Sequence, residues 1–169
     1  MNKPLYEFFT EDHRRLEDIL EKATEDIDNI QLDKYQQFRT GLLKHIKMEE
    51  KIFFPAALKA NGGVPLPLAS KLRLDHGAIT SLMVLPPNAE VIKVLCYILE
   101  EHDLLEEQPG GMYDVCQALT VAETEDLLQQ LGQATEVPVH PFNTADYALD
   151  VTKRAVARAG FDFDAIAKQ

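Results

Sequence analysis

The feature that most constrains this sequence is an internal repeat of helical pattern, at an offset of roughly sixty residues. Each copy places a histidine in the apolar stripe of one helix, and a histidine with a glutamate one turn later in the stripe of the next. Two such hairpins predict a bundle with a pseudo-two-fold axis and a shared core. The repeated polar residues are His13, His45 and Glu49 in the first copy, and His76, His102 and Glu106 in the second.

Four apolar stripes of helical period support this interpretation. Segments rich in glycine and proline separate the later stripes, at NGGVPLP, LPPN and QPGG, and the second stripe is predicted to end near Phe54. No alternating run of strand type competes with these stripes. The predicted fold is therefore all-α, with an antiparallel up-down four-helix bundle over residues 1–118.

Residues 119–169 are predicted to form a helical extension of this bundle. The segment TVAE resembles a capping box that opens one helix at Thr120. A last helix is predicted to end at Gly160, with FDFDAIAKQ trailing after it. Its modest apolar stripe contains Tyr147, Val151 and Ala155, and the sequence leaves open whether it packs on the bundle or at a dimer interface.

Composition and charge exclude several classes of function. The net charge of −11 over 169 residues argues against nucleic acid or an anionic membrane as partner, because both require clustered Lys and Arg. The start of the chain becomes acidic too early for a signal peptide, and no apolar run is long enough to span a bilayer. Two cysteines provide no disulfide framework, so we expect a cytoplasmic protein.

The six repeated polar residues need a partner, because burying an imidazole or a carboxylate alone is costly. Estimates of helix length bring His13, His45 and Glu49 to one level of the bundle, whereas in the second hairpin the LPPNA linker must climb several ångströms to bring His76 and His102 level. Paired carboxylates suit bridging between two cations, and nitrogen and oxygen donors without thiolate favour iron or manganese over structural zinc. The sequence thus predicts a two-metal site, and the alternative is a purely structural polar core.

These residues and their spacing resemble the haemerythrin-like, or HHE cation-binding, family over roughly residues 5–118. The resemblance implies a four-helix bundle around a non-haem di-iron centre with an oxo or hydroxo bridge. It implies O2, NO or peroxide as ligands of the iron, with manganese or zinc as other metals that the donors accept. Carried over by position, the terminal ligands would be His13, His45, His76 and His102, and the bridging carboxylates Glu49 and Glu106.

The sequence also departs from the oxygen carriers of that family. Thr80 stands where they have another histidine, and the last motif has Glu106 four residues after its histidine instead of an aspartate at five, where Glu107 stands. One more coordination position is then open, which favours reaction at the metal over reversible storage. Glu17, one turn after His13, is either a further ligand or a solvated surface residue. Asp12 and Asp75 either orient a ligand from its outer side or lie at the surface, where we expect them. Glu50 and Glu107 are also expected at the surface, and whether Glu107 binds the metal is left open.

Three functions remain open from the sequence. The leading one is a di-iron protein that binds or reacts with a small oxidant, in oxygen or nitrosative stress response or in iron handling. The second is an iron- or oxygen-sensing regulatory module, in which the C-terminal helices relay the state of the metal to a protein partner. The partner is either a regulatory protein or a second copy of the chain in a homodimer. The third is a zinc-dependent hydrolase built on the same ligands, so whether the protein is an enzyme is left open.

Overall fold

The computed structural model describes residues 2–169, and within that range the chain forms helices and no strands. The all-α prediction is therefore confirmed. A π-helix, Glu49–Phe53, joins α2 to α3, and a short 3-10 helix, Val121–Glu123, precedes α7. The α-helices are α1 Pro4–Ala23, α2 Leu32–Met48, α3 Phe54–Ala60, α4 Ala69–Val84, α5 Ala89–Glu107, α6 Met112–Leu119, α7 Thr124–Gly132, α8 Ala148–Arg158 and α9 Phe163–Ala167.

Helices α1, α2, α4 and α5 form the bundle. Helix α1 packs along α2 and helix α4 along α5, and contacts of α2 with α4 and of α1 with α5 join the two hairpins. The ring centroids of His13 and His45 are 4.6 Å apart, and those of His76 and His102 are 4.8 Å apart. Both predicted hairpins thus close with their histidines at the same level, and the predicted helical bundle with additional C-terminal helices is confirmed.

The second helix does not end near Phe54 as predicted. It passes through a π-helix, in which the Phe54 N–H bonds to the carbonyl of Glu49, and continues as α3 to Ala60. Pro55, which has no N–H to donate, lies directly after the π-helix, at the point where the hydrogen-bond pattern changes. Single π-turns within helices are frequent at functional sites, and this one begins at a candidate ligand, Glu49.

Two apolar clusters form the core, one on each side of a polar layer. His13 lies one helical turn from Phe9, in one cluster, and nearly one turn from Leu16, in the other. The polar layer is therefore enclosed along the bundle axis by packed side chains. Representative members are Phe9, Phe53, Leu72 and Met112 in the first cluster, and Leu16, Phe38, Ile79 and Ile98 in the second.

A tight turn after α5 places α6 over the end of the bundle. Gly110 has a φ of 77°, a conformation that favours glycine. A Cβ on Gly111 would lie 2.6 Å from the carbonyl oxygen of Leu105, so no larger residue fits without a shift. Helix α6 then packs on α1, where the Gln117 side chain accepts a hydrogen bond of 2.8 Å from the Leu5 N–H at the start of that helix.

The C-terminal helices pack on the second hairpin, α8 against α4 and α9 against α5. The predicted stripe of α8 is wrong, since Tyr147 and Val151 are 64% and 42% exposed. The buried face is one residue further along and includes Thr152, whose hydroxyl donates to the Ser81 carbonyl at 3.2 Å. Whether residue 118 is a domain boundary, and whether a dimer forms, stay predictions.

Two further details of the extension differ from expectation. Helix α7 begins at Thr124, and the Thr120 hydroxyl donates to the carbonyl of Cys116 instead of capping the helix. The trailing segment forms α9, which Asp162 caps by accepting from the Ala165 N–H. Among residues 2–169, no helix combines the length and the apolar character needed to cross a bilayer.

Candidate metal centre

All six predicted site residues lie together in the polar layer of the bundle, and all are buried. Both glutamates are fully buried, and the histidines are at most 4% exposed. Each of the four bundle helices contributes to the site: α1 His13, α2 His45, α4 His76, and α5 His102 and Glu106, while Glu49 begins the π-helix.

Each carboxylate divides its two oxygens between two pairs of histidines. Glu49 Oε1 lies 3.1 Å from His45 Nε2, and Glu49 Oε2 lies 3.1 Å from His76 Nε2. Glu106 Oε2 lies 3.4 Å from His13 Nε2, and Glu106 Oε1 lies 3.2 Å from His102 Nε2. The donor atoms therefore form two groups of four that share both carboxylates. We call the group with His13 and His45 the first position and the group with His76 and His102 the second position.

The outer nitrogens of two histidines contact aspartates within their own hairpin. His45 Nδ1 lies 2.8 Å from Asp12, and His102 Nδ1 lies 3.2 Å from Asp75. An ionised carboxylate only accepts hydrogen bonds, so Nδ1 carries the proton and, in the neutral ring, Nε2 presents its lone pair to the centre. The expectation that these two aspartates are surface residues is wrong, since Asp75 is fully buried and Asp12 is mostly buried.

The other two histidines are held by glutamates from the opposite hairpin. His76 Nδ1 lies 2.9 Å from Glu50, and His13 Nδ1 lies 2.5 Å from Glu107. Both glutamates are partly exposed, at 30% and 22%, but each contacts a histidine and is not simply solvated. Glu107 thus orients His13 from its outer side, and Glu106 is the acid that reaches the shared layer.

Sequence reasoning missed Tyr113, whose ring is fully buried beside the first position. Its hydroxyl oxygen lies 3.1 Å from His13 Nε2, 3.3 Å from His45 Nε2 and 2.9 Å from Glu106 Oε2. The same hydroxyl is hydrogen-bonded to Glu49 Oε1. The one available signal was its place just after the PGG break that follows His102, Glu106 and Glu107.

The second position contains buried polar atoms that make no well-aligned hydrogen bond. Within the described chain these are Glu49 Oε2, His76 Nε2 and Glu106 Oε1, although each lies 3.1 or 3.2 Å from a facing polar atom. Leaving such atoms unsatisfied is costly, whereas a cation would accept their lone pairs. The donor set of imidazole and carboxylate therefore fits a metal pair.

The imidazoles and carboxylates of the cluster shift one another's pKa values. Burial opposes the charged form of His76 and His102, but the facing carboxylates outweigh it and raise their pKa values to about 9 and about 10. Burial would raise the pKa of Glu49, but the imidazoles of His45 and His76 hold it well below its usual range. Burial also raises the pKa of Asp103, near His13, to about 6. Protons thus hold the charge balance that metal ions would take over.

Other candidates from the sequence lie outside the cluster. Glu17 is 52% exposed and pairs with Arg14, so it is a surface residue. The Thr80 hydroxyl donates to the His76 carbonyl at 2.8 Å and provides no ligand in place of a histidine. Neither cysteine belongs to the described metal-binding groups, and burial, together with the charges of Glu49 and Glu106, raises the pKa of the Cys116 thiol to about 12.

Two cavities adjoin the cluster. One, of about 450 Å³, reaches His13 between α1, α2 and α5. Its wall combines apolar side chains, such as Leu16 and Phe38, with four acidic ones: Glu17, Glu21, Glu100 and Asp103. The other, of about 580 Å³, reaches His76 and Glu50 beside Met112. Each position thus has one histidine at the wall of a cavity.

Residues 5–84 match the family model described as the Hemerythrin HHE cation binding domain. This match covers just under half of the chain, and it shows that the part from α1 to α4 is similar to that domain. The match ends with α4, so the haemerythrin-like assignment of His102 and Glu106 rests on the internal repeat and on the geometry above. No curated protein and no solved structure matches the chain.

Proposed function

We propose that this haemerythrin-like protein holds a pair of iron ions in the bundle and binds or reacts with a small oxidant such as O2, NO or peroxide. It would act in the cytoplasm, in oxygen or nitrosative stress response or in iron handling. The observation that supports this most is the division of the oxygens of Glu49 and Glu106 between two pairs of histidines. A structural polar core has no need for carboxylates that face two ways.

The donor set supports iron among the metals that could bind. Every donor in the two positions is an imidazole nitrogen or a carboxylate oxygen, and a thiolate is not among them. Such sets suit iron and manganese, whereas structural zinc sites are commonly built with cysteine. The two cysteines are free thiols, in keeping with a reducing compartment.

The protein's own residues would prepare the site for this chemistry. The outer carboxylates keep the four Nδ1 atoms protonated and aim the Nε2 atoms inward. The two apolar clusters enclose the layer, and the acidic residues of the cavity beside His13 favour a small molecule without negative charge. A bound iron pair supplies the electrons and the open coordination positions that an oxidant needs.

Metal analysis with an optical spectrum tests this proposal. Protein from iron-replete cells should contain about two irons per chain, as expected for two four-donor positions. Its near-ultraviolet bands should bleach on anaerobic reduction and return in air. The variant Glu49→Ala should lose this iron, whereas His140→Ala, which changes an exposed histidine outside the cluster, should keep it. Iron-free protein after anaerobic reconstitution would refute the proposal, and stable zinc with hydrolytic turnover would favour the hydrolase.

A second function, a regulatory module, has support from one chain of contacts. Asp75 contacts His102 on one side and the Lys71 ammonium on the other. The Lys71 ammonium also donates to the Ala159 carbonyl at 2.7 Å and lies 4.3 Å from the Phe161 ring centroid. A change in the charge of the metal pair would therefore alter the contacts at the end of α8, through His102 and then through the side chains of Asp75 and Lys71.

Amide hydrogen exchange of residues 143–169 tests this second function. Loading with metal, or oxidising it, should change protection there in the wild type and not in Lys71→Met. The matched control is Lys153→Met, which breaks a surface ion pair of 2.8 Å with Asp164 in the same extension and should leave the response intact. Equal protection in every metal state would exclude the relay.

A further inference from the structure

The hydroxyl of Tyr113 occupies a place in the cluster that no motif assigns. It contacts one donor atom from each of the four residues of the first position. It contacts neither His76 nor His102, the two histidines of the second position. The two positions, which the internal repeat makes equivalent, are therefore different in their surroundings.

Hydrogen bonding alone does not satisfy this arrangement once His13 and His45 are neutral. A phenol has one hydrogen to donate, and it bonds to Glu49. When metal binding makes His13 and His45 neutral, with their Nδ1 atoms donating to Glu107 and Asp12, the inner nitrogens also present lone pairs. Together with Glu106, four lone-pair donors face an oxygen that has a single proton. A cation beside that oxygen would serve all of them at once.

The spacing around the hydroxyl is that of neighbouring ligands on one metal ion. With metal–ligand bonds of about 2.1 Å, adjacent donors of an octahedron lie about 3 Å apart. The hydroxyl lies 2.9 Å from Glu106, 3.1 Å from His13 and 3.3 Å from His45. It can therefore share a metal with these groups without moving far.

The surrounding packing holds Tyr113 in this place. Its ring packs against Phe9 at a centroid distance of 5.3 Å, Phe53 at 6.2 Å and Tyr6 at 6.2 Å, and it is fully buried. The tight turn at Gly111, two residues before Tyr113, fixes where α6 begins. A ring so enclosed has little freedom to turn away from the cluster.

We propose that Tyr113 is a fifth protein ligand, through its phenol oxygen, of the metal in the first position. The inference rests on the proposed function, which places a metal pair in this cluster. The first position then has five protein donors and the second has four, so an added small ligand binds preferentially to the metal between His76 and His102. The phenol proton is released as the metal binds.

The test uses full-length protein loaded with iron(II) without oxygen and then oxidised in air. A phenolate bound to iron(III) gives a visible charge-transfer band, and resonance Raman excitation within that band shows phenolate ring modes. The wild type should show both, and Tyr113→Phe should lose both while it keeps two irons. The matched control is Tyr35→Phe, which removes a buried hydroxyl that has no partner within the described chain and should leave the band unchanged.

The outcomes separate this inference from the proposed function. Two irons in the wild type with no phenolate band would overturn the assignment of Tyr113 and leave the iron pair intact; a phenol that only donates a hydrogen bond gives this result. No iron in the wild type would overturn both. If Tyr113→Phe fails to fold, the Raman spectrum of the wild type alone still decides whether a phenolate is bound.

Discussion

The carboxylate of Asp12 lies 2.8 Å from Nδ1 of His45, although its neighbour in the chain is His13. Successive residues of a helix point about 100° apart, so Asp12 faces α2 while His13 faces the centre. Asp75 has the same relation to His102 in the second hairpin. Each acid next to a motif thus positions a histidine on a different helix, and the orientation of the ligands depends on the assembled bundle.

Removing one of these outer carboxylates should weaken metal binding without removing a ligand. We expect Glu50→Gln to lower the affinity of the second position about 10–100-fold, because His76 loses the charged acceptor that fixes its ring. Competition with a chromogenic chelator measures this. The control is Glu101→Gln, an exposed glutamate of α5. Equal affinities for the two variants would show that Glu50 has no part in orienting His76.

The shared carboxylates should couple the two positions. We expect Glu49→Ala to weaken binding at both positions, because it removes one oxygen donor from each. His76→Ala should weaken the second position and leave most of the first, since its imidazole belongs to one group alone. Metal content after dialysis against a weak chelator distinguishes them. Loss of a single metal in Glu49→Ala would contradict a bridging role.

The sequence predicted the six central residues because they occupy the apolar stripes of helices. A polar group in such a stripe is conspicuous, and the repeat aligned His13 with His76 and His45 with His102. The outer acids could not be predicted in the same way. Asp12 and Asp75 lie beside the stripe, where acidic residues are ordinary, and their partners are on other helices.

Tyr113 escaped prediction for a different reason. It follows a break in helical pattern, and its direction is set by the turn at Gly111 and by packing on Phe9, not by the period of α5. The buried face of α8 was likewise not evident, because it includes the small Ala148 and the polar Thr152, whereas the larger Tyr147 and Val151 are exposed. Burial there depends on the groove that the bundle offers.

The metal-free protein should lose stability as the pH rises. His76 and His102 have pKa values raised to about 9 and about 10, above the value near 6.5 of an unfolded chain. Their contribution is complete below about pH 6.5 and is lost as the pH rises through those values, on the order of 3 kcal/mol for His76. Urea unfolding of chelator-treated protein measures this loss, at about pH 6.5, about pH 8 and about pH 9.5, a range that runs from the unfolded pKa into the folded ones.

The metal-loaded protein provides the comparison for that series. A bound cation requires neutral histidines and replaces their protons, so its stability should not fall over the same range. The difference in the free energy of unfolding between the metal-loaded and the metal-free protein should therefore grow with pH. Metal binding near neutral pH should also release protons to the buffer. A metal-free protein with the same unfolding midpoint throughout would show that the two histidines are not protonated.

Gly111 should be the glycine least able to accept a side chain. In Gly111→Ala, the new Cβ would lie 2.6, 2.8 and 2.9 Å from the carbonyl oxygens of Leu105, Gln108 and Glu106. Because backbone atoms cannot easily move, we expect a loss of about 1–3 kcal/mol in the free energy of unfolding. Tyr113, two residues later, should shift with the turn, and any phenolate band should weaken.

The control is Gly132→Ala, in which nothing lies within 4 Å of the added Cβ, so we expect a gain of about 0.5 kcal/mol in the free energy of unfolding. Similar unfolding energies for both variants would mean that the turn is loose and that packing alone holds Tyr113.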